Sequence, residues 1–229
     1  MARKENNKKI TAPEPTETKA ADISADEIIA NYVKALGGAD AINAIKDYKI
    51  TGTMSVSGQN LNVTQMFKQP DMTSMLMGMG GVIVQRVAFD GQTLRMSGMG
   101  GNQEFTEGTE FENAKAEAGV APPMNFAAMG YKMTVKGIEK IGDKEVFVVV
   151  VETGTVKTYY FDTHTGLLLR VSTIMDTPQG EMQMVTDYSD YRPVNGVLFP
   201  HKQTVAAMGM EVTVNSIEVN TGLADEDFK

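Results

Sequence analysis

The chain has 229 residues, a formal net charge of -8 and 42% hydrophobic residues. A pI near 4.9 argues against nucleic acid, whose phosphates want a basic face. With no cysteine, a disulfide framework, a thiol nucleophile and a thiolate zinc site are all excluded. No apolar run approaches the ~20 residues of a membrane span. No apolar stretch follows the basic start, so no signal peptide is expected.

Residues 1–22 are rich in Lys, Asn, Thr, Pro and Glu and poor in large apolar side chains. Such a stretch buries too little surface to offset its ordering entropy, and is expected to be a disordered linker or tether. A single domain is expected over residues 23–229. It opens with a helix: Ser24 and Glu27 form a capping box, and Ile28, Ile29, Tyr32, Val33 and Leu36 make a stripe at helical spacing. Gly37 and Gly38 end it, and a shorter helix over residues 39–45 presents Ile42 and Ile45. This helical hairpin needs a partner surface, and a sheet is the one on offer.

Strands follow. Tyr48, Ile50, Met54 and Val56 alternate on one face; Leu61, Val63 and Phe67 alternate in the next strand. Met75, Met77 and Met79 share a strand face, and Asp90-Gly91 is a hairpin turn. Residues 106–119 then read as a polar, Ala-rich helix, and residues 120–131, with Pro122, Pro123, Phe126 and Met129, as an apolar segment unlike a strand. Two readings stand for this middle region: a flap over one face of the sheet, or a packed connector. From residue 144 to residue 219, short β-rich runs are punctuated by Gly, Pro, Asn and Asp every ten or so residues. That is the pattern of consecutive antiparallel hairpins. About ten strands in one sheet cannot stay flat. The expected fold is therefore α+β: a strongly curved antiparallel sheet, an incomplete barrel, with an N-terminal helical hairpin and a middle helical flap.

Catalytic patterns are missing. His164 sits in a turn and His201 follows Pro200, and neither belongs to a zinc spacing, a nucleophile elbow or a phosphate loop. The carboxylates are scattered over turns and linkers, where a solvated surface is the ordinary reading. No enzyme activity, cofactor or metal is expected. What is present is methionine on strands: Met75 with Met77, Met182 with Met184, and Met208 with Met210 by the period of two. Core filling is one reading. A second is the wall of an adaptable apolar cavity, which unbranched, polarizable methionine suits. A third, a Cu(I) thioether site, lacks a nearby Cys or His. The cavity reading places ligand-binding residues at Ile50, Met54, Val63, Met75, Met77, Met184 and Met208 on the sheet, with Phe126 and Met129 on the flap.

A resemblance joins these segments. Tyr32 to Asp40 in the opening helix, Phe89-Asp90-Gly91, Phe161-Asp162 with Thr165-Gly166-Leu167, Tyr188-Ser189-Asp190-Tyr191, Asn195-Gly196-Val197-Leu198-Phe199-Pro200-His201 and the ending from Val219 to Phe228 resemble, in order and spacing, the LolA/LolB-like superfamily. More narrowly, they resemble bacterial outer membrane lipoprotein-sorting proteins. Similar segments also lie behind insulinase-type peptidase domains in Bacteroidetes. The resemblance covers about residues 24–229. It implies helices plugging the mouth of an incomplete barrel, and periplasmic or cell-envelope carriage of lipid or lipoprotein acyl chains without a cofactor. It implies as partners a lipid or acyl chain, a lipoprotein or an upstream peptidase domain, and peripheral membrane contact. The alternative is a structural or interaction module accessory to a larger envelope protein such as an insulinase-type peptidase. That peptidase's own zinc motif is absent. Carriers of this family hold their lid with an arginine on the sheet, for which Arg86, Arg95 and Arg170 are the candidates.

Overall fold

The computed structural model describes residues 18–98, 100–177 and 180–229. Helix α1 runs Ala25–Leu36 and α2 runs Ala39–Ala44. The capping box closes at the start of α1: the Glu27 N–H donates to Ser24 Oγ (3.2 Å), and the Ser24 N–H donates to Glu27 Oε2 (3.0 Å). Gly37 ends the helix at φ 127°, and a Cβ there would collide with the Gly196 carbonyl. Glycine is thus required twice over, by conformation and by the close approach of the neighbouring turn.

Thirteen strands form one antiparallel sheet. The first six are β1 (Asp47–Val56), β2 (Gln59–Lys68), β3 (Met72–Met79), β4 (Val82–Phe89), β5 (Leu94–Gly98) and β6 (Gly101–Phe105). Helix α3 (Thr109–Glu117) and an apolar connection follow. The other seven are β7 (Lys132–Ile141), β8 (Lys144–Glu152), β9 (Val156–Asp162), β10 (Leu168–Thr177), β11 (Gly180–Val194), β12 (Val197–Val205) and β13 (Met210–Val219). Their order in space is β6-β5-β4-β3-β2-β1-β13-β12-β11-β10-β9-β8-β7. Two meanders therefore meet at one seam, β1 against β13, with Tyr48 opposite Val219 and Val56 opposite Met210. β6 and β7 are the two free ends, and the connection between them crosses the whole sheet.

The curvature follows from α3. Its Phe111 packs edge-on against Phe89 of β4, with ring centroids 5.5 Å apart. Two residues on, Asn113 Oδ1 accepts from the Thr155 N–H (3.0 Å), Thr155 Oγ1 (3.1 Å) and Thr153 Oγ1 (3.2 Å) in the β8–β9 turn. In a flat sheet β4 and β9 would stand eight strand spacings apart, roughly 38 Å at ~4.8 Å each. The whole of α3 is only about 13 Å long. The two arms must curl toward each other for α3 to touch both. The sheet is curved and open, as its strand content led one to expect.

The core fills one end of the concave face. Ile28, Ile29, Tyr32, Leu36, Ile42 and Ile45 pack on Tyr48, Val149, Val151, Tyr159, Phe161, Leu168, Val197 and Phe199, with Ala121 and Phe126 of the connection joining them. Aromatic pairs fix this packing, among them Tyr32 with Phe161 (5.3 Å) and Tyr48 with Phe199 (5.9 Å). The chain's end is tied down by buried Asp47, whose carboxylate accepts from the Thr221 N–H (2.7 Å), Thr221 Oγ1 (3.0 Å) and the Gly222 N–H (3.0 Å). Of the linker expected over residues 1–22, residues 1–17 lie outside the described residues. Further on, Lys19 pairs with Ile138 on the free edge of β7, N–H to carbonyl in both directions at 2.9 and 2.8 Å.

Candidate ligand cavity

Where the helices stop, the concave face is left uncovered by them. A cavity of about 620 Å³ lies between the sheet and the connection after β6, within the ~300–1,000 Å³ usual for small-molecule sites. Its wall is built from cross-strand rows of inward side chains. One row carries Met75, Gln65 and Ile50; the next carries Met77, Val63 and Gly52. Across the seam Met54 faces Val212, and beyond it Gln203. On the far arm, Lys157, Thr173 and Met184 form one row, and Tyr159, Val171 and Thr186 the next. The roof consists of Glu117, Gly119, Val120, Pro122 and Pro123.

Six of the nine residues singled out in the sequence, Ile50, Met54, Val63, Met75, Met77 and Met184, come together on this wall. The other three do not line it. Phe126 is buried between Tyr131 and Tyr159, at 5.9 and 5.4 Å, and anchors the roof from behind. Met129 is half-buried in the turn that follows. Met208 ends a 3₁₀ turn (Ala206–Met208) after β12, before left-handed Gly209. That turn breaks the strand alternation that pairs Met208 with Met210, so Met210 faces the cavity while Met208 is exposed.

The cavity also holds polar groups that no sequence motif marks. Among the described residues two charged side chains line it, Lys157 and Glu117, and they form an ion pair. The Lys157 side chain is 9% exposed and that of Glu117 62%. The signal was in the strand: Lys157, Tyr159 and Phe161 share the inward parity of β9, and an inward lysine in an apolar strand calls for a partner. Burial pushes the Tyr159 and Tyr188 phenols up, and the Glu117 carboxylate pushes both further the same way. Burial also raises Tyr48.

The three arginines considered as lid clasps bond elsewhere. Arg86 Nη2 donates to the Asp227 carbonyl (3.1 Å), Arg95 Nη1 to Asp90 Oδ2 (2.6 Å), and Arg170 to both oxygens of Asp187 (2.6 and 3.1 Å). None of these bonds touches the connection; its carboxylate, Glu117, pairs with Lys157 of β9 instead. His164 serves its own turn: Asp162 Oδ1 accepts from the His164 and Thr165 N–H groups, both at 2.9 Å. Among the described residues no three His, Asp or Glu side chains gather in a group that could hold a metal ion.

One border of the sheet differs from the other. Exposed Met79, Val82 and Ile83 flank the β3–β4 turn, Ile174 and Met182 the β10–β11 turn, and Met208 lies in the β12–β13 turn. In an antiparallel sheet of this order these turns share a border, opposite to the one where α1 packs on Gly166 and Gly196. Residues 50–67, 72–85 and 203–210 carry no charge at all. Each cavity stripe runs toward this border, Met77 toward Met79 and Met184 toward Met182.

No family model matches the chain. No curated protein matches its sequence either. Solved structures do match its fold. A LolA superfamily protein from Nitrosomonas europaea is 11% identical at a TM-score of 0.56, covering 90% of this chain and 98% of that one. An outer membrane lipoprotein-sorting protein domain from Vibrio parahaemolyticus is 13% identical at 0.55, covering 90% and 97%. A DUF1329 family protein from Desulfovibrio piger is 10% identical at 0.55, again covering 90% and 97%. With its curved open sheet, helical plug and roofed concave face, the chain has the fold of the LolA superfamily.

Proposed function

We propose that this protein is a non-catalytic carrier that holds the acyl chains of a lipid or lipoprotein in the concave face of its sheet, in the cell envelope. The observation that carries the reading is the cavity itself: about 620 Å³ lined mainly by apolar side chains, beside the helix-plugged core. A core at ordinary density leaves no such space. Ile50, Met54, Val63, Met75, Met77 and Met184 form its wall, and methionine's flexibility lets one wall fit chains of different shape. Peripheral contact with a membrane goes with this reading, because the uncharged stretches that carry Met79, Val82, Ile83 and Met208 offer apolar tips beside the cavity. The likeness of fold to lipoprotein-sorting structures supports the same class of ligand.

Gentle extraction of the protein from its own envelope, followed by lipid mass spectrometry, tests the proposal. A co-purifying lipid near one per chain is expected. Protein that emerges lipid-free and takes up no fatty acid afterwards sinks it, and leaves the reading of an interaction module for a larger envelope protein.

A further inference from the structure

We infer that the ligand has an anionic head, a carboxylate or a phosphate, which pairs with Lys157 in place of Glu117. The inference rests on the carrier reading and adds the chemistry of the head to that of the tail.

Lys157 and Glu117 are unequally buried. The Lys157 side chain is 9% exposed, on the cavity wall, and the described residues give it one anionic partner. A buried ammonium stripped of its partner is costly. The Glu117 side chain is 62% exposed, and water can solvate it as it swings away. The pair is therefore easy to open from the Glu117 side and costly to leave open on the Lys157 side. Glu117 also ends α3, the element that bridges the two arms and begins the roof. A neutral chain that lifted the roof would strand the ammonium. An anionic chain would replace one carboxylate with another and leave Lys157 paired throughout. Glu117 thus occupies the place of the ligand's head when the cavity is empty.

The surroundings fit. Tyr159 lies two residues along the same face of β9, and Tyr188 lines the same cavity. Both hydroxyls belong to the lining of the same cavity as Lys157 and Glu117 and are O–H donors open to an anion's oxygens. From Lys157 the row runs through Thr173 to Met184, and the rest of the wall beyond is uncharged. A charged head at one point and an apolar path leading from it describe an amphiphile with a single anion. The two charges give selectivity by rejection as much as by attraction, since a neutral head leaves a buried charge unpaired.

The test uses the intact chain and an uncharged reporter, N-phenyl-1-naphthylamine, displaced by laurate, by lauroyl lysophosphatidic acid or by dodecanol at mildly alkaline pH. Wild type should bind at least one anionic ligand about tenfold or more tightly than dodecanol, a gap of about 1.4 kcal/mol. In Lys157→Met that gap should close. In Glu117→Gln, whose amide oxygen can still accept from the ammonium and whose folding is checked by circular dichroism, removal of the competing charge should raise anion affinity more than dodecanol affinity. Laurate alone winning points to a free carboxylate, and lysophosphatidic acid alone to a phosphate head. If wild type binds dodecanol as well as both anions, or the preference survives Lys157→Met, the anionic head is overturned while the carrier stands. If no chain displaces the dye, the carrier reading falls and this inference with it.

Discussion

Met77→Trp separates a cavity wall from a packed core. Met77 sits on β3 between Val63 of β2 and Gln85 of β4, lining the cavity and outside the core cluster. In a close-packed interior so large an insertion costs ~1–3 kcal/mol. At ~2–4 °C per kcal/mol for a chain of this size, that lowers the melting temperature by roughly 2–12 °C. Projecting into about 620 Å³ of free space, the indole meets no such wall. Each ~40 Å² of ring newly removed from water contributes about 1 kcal/mol, so the melting temperature of the empty protein should hold or rise. Ligand response should move the other way. A fatty acid at ~100 times its dissociation constant adds about 2.7 kcal/mol to a protein that binds it. By the same conversion that is a rise of roughly 5–10 °C in wild type. The tryptophan occupies that volume, and the rise should shrink to a small fraction. Scanning both proteins with and without palmitate, alongside displacement of a fluorescent fatty acid, reads both quantities. A wild type that palmitate leaves unmoved, together with a variant that is merely less stable, refutes the reasoning.

Two further predictions concern stability. Asp47→Ala removes three hydrogen bonds from a buried carboxylate and leaves the Thr221 and Gly222 N–H groups unsatisfied; a loss of about 3 kcal/mol is expected from urea titration, with Asp47→Asn losing less. Burial works against the Asp162 carboxylate, but the Thr165 and His164 N–H groups and Lys144 together hold its pKa below the usual carboxylate value. Its stabilising contribution is therefore present above the unfolded pKa of ~3.9 and is lost as pH falls through the lower folded value. Asp162→Asn should be less stable than wild type at neutral pH, and the two stability curves should converge below about pH 4.

Legibility in the sequence followed the range of the interaction. Ser24 with Glu27, the glycines after Leu36 and the Asp90-Gly91 turn are local devices, and each does what its residues dictate. Inward parity also survived within unbroken strands, which is why Met75, Met77 and Met184 fell on the wall. It failed at Met208, where a 3₁₀ turn and left-handed Gly209 reset the count. β6 escaped notice because Gly101, Asn102, Gln103 and Glu104 show no apolar alternation; it is held by pairing with β5 alone. β7 was obscured by the bulge at Gly137, which shifts Val135 and Ile138 out of step. Least legible of all was the Lys157–Glu117 pair, since nothing near either residue in sequence names the other.

The seam between β1 and β13 ties ligand to assembly. Every other strand pairing among the described residues joins neighbours in sequence; this one joins the first strand to the last. Each meander can grow hairpin by hairpin with short loops to close, whereas the seam must gather residues separated by most of the chain. Neither meander alone encloses anything. Ile50, Gly52 and Met54 stand on one side of the join and Met210, Val212 and Val214 on the other, so the cavity comes into being only when the halves meet. A chain bound as proposed would lie across that join and act as a splint, and the hold of Asp47 on Thr221 and Gly222 latches the same join from its outer end.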